Sequence, residues 1–129
     1  MERGTGITTL TSPYPVNETA DRLESLLRAK GVTIFARIDQ RAEADKAGLE
    51  MNATELLIFG NPKAGTPLMV AEPLSGIDLP LKTLIWQDND NKIWLSYNSF
   101  SYLQQRFGFS DELIKSVSAV EGLLKAAVL

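Results

Sequence analysis

The stretch "LLIFGNPKAGTPL" over residues 56–68 holds the residue types that could cradle a phosphate. An apolar run ends at Gly60, and a loop follows that carries Lys63, Gly65 and Thr66. The nucleotide-binding P-loop reads G-x-x-x-x-G-K-S/T, with backbone N–H groups and the lysine facing the phosphates. Here Gly60 and Gly65 have the right separation, but Thr66 stands where that lysine belongs and Lys63 comes too early. Pro67 also removes an N–H that such a cradle would use. The stretch therefore reads first as punctuation. Asn61-Pro62 and Thr66-Pro67 each look like an N-cap followed by proline at the first helical position, with Gly65 as the stop between two helical turns. A helix start still offers N–H groups and partial positive charge, so an anion or carboxylate near Asn61, Lys63 and Thr66 is the expected ligand.

Three carboxylates are the other chemical candidates. Asp39, Glu55 and Asp78, if brought together, could act as an acid/base pair or hold magnesium. Each also suits a plain role at a strand edge or helix cap, so no residue is assigned as catalytic and none as a metal ligand. "DNDN" at 88–91 fails as a calcium loop, because an EF-hand starting at Asp88 needs glycine sixth and glutamate twelfth; Ile93 and Ser99 stand there. Asp and Asn there are ordinary turn formers.

The chain has no cysteine and no histidine. That excludes disulfides, cysteine nucleophiles, thiolate or imidazole metal sites and Ser-His-Asp catalysis. No cofactor is implied. A net charge of −3 and the lack of a Lys/Arg cluster beside aromatics argue against nucleic acid and anionic membranes as partners. No apolar run reaches a membrane span of roughly 18 residues. No basic segment precedes a long apolar one at the start of the chain, so a cytoplasmic protein is expected.

The elements that must position these residues follow from periodicity. Residues 6–11 read as a first strand. Val16, Ala20, Leu23, Leu26 and Leu27 lie on one helical face, and Gly31 ends that helix. "VTIFARID" alternates, with Val32, Ile34, Ala36 and Ile38 on one side. A short polar helix runs through "QRAEADKAG" to Gly48. "TELLIFG" is apolar throughout and reads as a central strand covered on both faces. Residues 81–87 and 92–97 form a hairpin that brings Trp86 near Trp94. A short helix over 99–106 precedes a last long helix capped by Ser110, with Leu113, Ile114, Val117, Val120 and Leu124 as its stripe. The 129 residues make a single domain with an α+β fold: one mostly antiparallel sheet, two long helices on one face and short helical insertions. Such a sheet leaves its other face to be covered, and a homodimer is expected.

The strings "TELLIFGNPK" (54–63), Gly65-Thr66 and "DLP" (78–80), with "FARIDQ" before them and "KIWLSYN" after, resemble the Domain of Unknown Function 302 family of bacteria and archaea. The resemblance spans nearly the whole chain. It implies a β-α-β4-α fold like that of the TATA-binding protein and a tendency to form homodimers. It implies no activity, so the function expected is a dimeric module that binds a small polar or anionic ligand or serves as an accessory domain. An enzyme using the carboxylates and Lys63 is the alternative, and nucleic-acid binding by fold analogy a third reading. The family usually carries histidine where this chain has Gln40, which cannot titrate.

Overall fold

The computed structural model describes residues 5–129. Residues 1–4, on which the reading of a missing leader partly rests, lie outside the described residues. Five strands form one sheet: β1 (Ile7–Ser12), β2 (Thr33–Asp39), β3 (Thr54–Gly60), β4 (Leu81–Gln87) and β5 (Ile93–Asn98). Their order across the sheet is β1-β5-β4-β3-β2, and every pairing is antiparallel. The helices are α1 (Val16–Ala29), α2 (Gln40–Lys46), α3 (Pro62–Ala71), α4 (Phe100–Phe107), α5 (Asp111–Ser118) and α6 (Glu121–Ala126). A short 3-10 helix, Pro73–Ile77, joins α3 to β4. This is an α+β arrangement, as the periodicity predicts.

α1 forms because Val16, Ala20, Leu23 and Leu27 recur at helical spacing, and all four are buried against the sheet. They share one core with Leu57 and Phe59 of β3, Ile85 of β4, Leu95 of β5 and Leu124 of α6. The β4–β5 hairpin sets Trp86 opposite Trp94, with ring centroids 6.2 Å apart. Its turn is organised by Asp88, whose carboxylate accepts from the N–H groups of Asp90 and Lys92 and from Trp94 Nε1. Those bonds hold its pKa below the usual carboxylate value, the Trp94 bond foremost.

The structure corrects the sequence reading in three places that matter for function. First, β2 does not alternate throughout. Its register with β3 shifts between Ile34 and Ala36, so Phe35 is an extra, bulged residue. Beyond it the faces exchange: Ile34 pairs with the buried Phe59, Arg37 with the buried Leu57, while Ala36 and Ile38 fall on the opposite face beside Ile58 and Leu56. Second, β3 lies between β2 and β4, but the core covers it on one face. Glu55, Leu57 and Phe59 are buried there; Leu56 and Ile58 are only half-buried on the other. Third, the last long helix is two. Val120 N–H bonds to Val117 O, a tighter turn than an α-helix allows, and the chain bends so that Ile114, Val117 and Leu124 all reach the core.

Candidate functional site

The corner between β3 and α3 is built by Asn61. Its backbone is extended, and its Oδ1 accepts from Lys63 N at 3.0 Å, the N-cap arrangement expected from Asn-Pro. Its carbonyl accepts from the N–H groups of Ala64 and Gly65, both at 2.9 Å. Pro62 has no N–H. The first turn of α3 therefore has no backbone N–H left for an anion, so the glycine-rich loop does not form the backbone cradle of a P-loop.

Gly65 and Thr66 differ from expectation. α3 runs unbroken from Pro62 to Ala71, so Gly65 is inside the helix with ordinary negative φ rather than a stop, and Thr66 caps nothing. Pro67 lies inside the same helix and deprives the Lys63 carbonyl of its donor. The helix continues because Leu68 is buried against the core, and tertiary packing outweighs local propensity.

Below this corner two cavities adjoin. One of about 300 Å³ lies between the turn that joins α1 to β2, the end of β3 and α5–α6, and is walled by Val32, Phe59, Ala64, Val120 and Leu123, with Lys30 at its rim. The other, of about 170 Å³, is bounded by Phe35, Pro62, Gly65, Thr66, Met69 and Pro80. Gly60, Asn61, Leu81 and Val117 line both. Glycine at position 60 permits the close approach of the Phe35 ring and Pro80, each 3.6 Å from where a Cβ would sit.

Among the residues expected at a site, the structure brings Asn61 and Thr66 together at the smaller cavity and sets Asp39 beside Glu55 elsewhere, while Lys63 and Asp78 stand apart. Lys63 is exposed on the first turn of α3 and lines neither cavity. Asp39 caps α2, its Oδ1 accepting from Ala42 N at 2.9 Å. Glu55 faces Asp39 across β2–β3 and is buried, but Arg37 Nε holds it at 2.7 Å. Arg37 also reaches Asp21 at 2.7 Å; the bond to Glu55, above all, raises its pKa further above an already high value. Asp39 and Glu55 border a separate polar cavity of about 340 Å³ with Asn17, Arg41 and Gln87. Five residues of β3 put Glu55 about 17 Å from Gly60. Asp78 pairs with Arg106 at 3.0 Å, apart from both. The three carboxylates do not converge, and among the described residues no cluster of Asp, Glu, His or Cys could hold a metal ion.

Sequence reasoning missed Phe35, Met69, Leu79, Pro80, Val117 and Lys30 as lining residues. Val117 reads as part of the last helix's apolar stripe, and nothing local to Phe35 announces the bulge that places it there. Gln40 begins α2 and lines neither cavity.

A profile of the family described as "Domain of unknown function DUF302" matches residues 8–128. The chain belongs to the DUF302 family. A crystal structure of an uncharacterized conserved DUF302 protein from Bacillus stearothermophilus superposes with a TM-score of 0.78 at 21% identity, covering 97% of each chain. That likeness concerns the fold. Two curated relatives are named for a fluoride-specific ion channel: FluC 1 of Brucella suis biovar 1 and FluC 1 of Brucella abortus biovar 1, each 40% identical over 115 residues. The match takes 87% of this DUF302 chain but only 45% and 43% of those proteins, so the chain spans less than half of their length. Among the described residues no helix is long and apolar enough to cross a membrane.

Proposed function

We propose that this DUF302 chain is an accessory module that binds a small ligand in the paired cavities beneath α3. The observation that carries the reading is their shared wall at Gly60, Asn61, Leu81 and Val117: two apolar spaces meeting at one polar side chain. Mostly apolar lining with few directed polar groups is the usual character of a small-molecule site. The FluC-named relatives contain a matching segment as a minor part of a longer protein, which supports an accessory role. The enzyme alternative loses its support because Glu55 is tied to Arg37 and Asp78 to Arg106. With a net charge of −3, a small molecule suits the module better than nucleic acid.

The module works as a homodimer in this reading. Ala36, Ile38, Leu56, Ile58 and Leu84 lie together on the sheet face turned away from the core, and a second copy would cover them. Light scattering should give twice the 14.2 kDa chain mass at micromolar concentration, and Leu84→Glu should return the monomer. A monomer mass for the unaltered chain refutes the pairing.

A thermal-shift screen of metabolites tests the ligand site, with Gly65→Leu as the control. A Cβ at Gly65 meets nothing within 4 Å and Gly65 lines the smaller cavity, so leucine there should favour the helix while narrowing that cavity. At least one compound should raise the melting temperature of the unaltered chain and not that of Gly65→Leu. Equal shifts in both proteins, or none with any compound, overturn the site.

A further inference from the structure

The paired cavities differ in character, and the difference bears on ligand chemistry. The smaller one, about 170 Å³, is close in size to an apolar cavity of roughly 150 Å³ that holds one benzene ring. Its sides are the Phe35 ring, the flexible thioether of Met69, Leu79 and the Pro80 ring. Phe35, on the edge strand β2, is 53% exposed at this rim. The β2 bulge sets it there, which is how bulges re-aim side chains beside sites. An exposed ring, a thioether and a proline ring make flat, polarisable walls that favour another ring.

The polar side chains of the lining are few: Asn61 where the two cavities meet, Lys30 and Ser116 in the larger one and Thr66 in the smaller. Asn61 Oδ1 is committed to Lys63 N, so its Nδ2 is the end left to donate, and Nδ2 has no partner among the described residues. No aspartate or glutamate lines either cavity, although the chain carries 16 of them. The charged lining residue is Lys30, at the rim of the larger cavity and in no ion pair among the described residues. A donor and a cation without a carboxylate favour an acceptor that carries negative charge.

We propose that the site takes a monocyclic aromatic carboxylate, its ring against Phe35 and Met69 in the smaller cavity and its carboxylate toward Asn61 Nδ2 and the Lys30 side of the larger one. This rests on the cavities being the ligand site and names the class of ligand.

The test is an amide-resolved NMR titration of the whole chain with three probes: 3-phenylpropionate, its neutral amide and hexanoate. 3-Phenylpropionate should shift the amides of Gly60, Gly65 and Val117, and bind at least tenfold more tightly than the other two. Asn61→Asp keeps an N-cap acceptor, so it folds, but it replaces the donor by a negative charge; it should weaken 3-phenylpropionate at least tenfold. Phe35→Ala should weaken it severalfold while leaving the melting temperature nearly unchanged. Hexanoate binding equally well overturns the ring, and the amide binding equally well overturns the anion. Shifts confined to other residues overturn the location. If the probes leave these amides unmoved while screened compounds shift them, the ligand class fails and the ligand site stands. If no compound moves them, both fail.

Discussion

Replacing Gly65 by alanine should stabilise the protein, and the sign of the effect distinguishes two readings of the same residue. In the structure Gly65 is inside α3, has no left-handed φ, and a Cβ built there meets nothing within 4 Å. The methyl group therefore meets no steric penalty. Alanine is favoured over glycine in a helix interior by about 0.8–1 kcal/mol, much of it through lower entropy of the unfolded chain. For a chain of this length that corresponds to a rise in melting temperature of about 3–5 °C. Urea denaturation should show a higher midpoint with an unchanged slope. If Gly65 instead ended one helical turn and opened another in a left-handed conformation, alanine would lower stability by a similar amount. A fall in both midpoint and melting temperature refutes the reasoning. Gly6→Ala is the internal contrast. Gly6 has φ +73°, and a Cβ there would run into the ring and Cβ of Tyr102. That substitution should cost about 2 kcal/mol or more, so the two glycines should respond with opposite signs.

Arg37→Ala should cost about 2–3 kcal/mol, because it leaves the buried Glu55 carboxylate without its partner; urea midpoints check it, and Arg37→Ala with Glu55→Gln together should recover part of the loss. Asn61→Ala should cost about 1 kcal/mol through loss of the N-cap, whereas Thr66→Ala, which removes no cap, should cost a few tenths at most; a reversed order would show that Thr66 starts a helical turn after all. Tyr97 is kept protonated by burial and, secondarily, by its 2.6 Å bond to Glu121, so its pKa lies above the ordinary tyrosine value. Its contribution to stability is complete below about pH 10 and is lost as pH rises through the folded-state pKa. Unfolding free energies at pH 8 and pH 11 should therefore diverge more for the unaltered chain than for Tyr97→Phe, and equal divergence would refute the assignment.

Several local signals carried through to the fold without change. Val16, Ala20, Leu23 and Leu27 recur at the helical period and form the buried side of α1. Ser110 accepts from Leu113 N as an N-cap should, and the turn residues after Asp88 bring Trp86 and Trp94 together. Asn61-Pro62 starts α3 as its residues predict. These are short-range matters, settled by side-chain spacing and by bonds between residues three or four apart. The family was legible for the same reason: long strings such as "TELLIFGNPK" stand intact in the chain.

What required the tertiary structure was anything settled by a residue distant in sequence. Alternation in "VTIFARID" could not show the bulge at Phe35, because the register of β2 is set by its pairing with β3, twenty-odd residues later. The apolar run of β3 looked buried on both faces because composition cannot say which face the helices will cover. Gly65 and Pro67 read as breaks, yet burial of Leu68 on the core keeps α3 whole. The site followed the same rule. Residues near one another in the chain marked the corner at Asn61, but its walls come from β2, α3, the loop before β4 and α5. A cavity is the space that packing leaves between elements, and no single element's sequence records it.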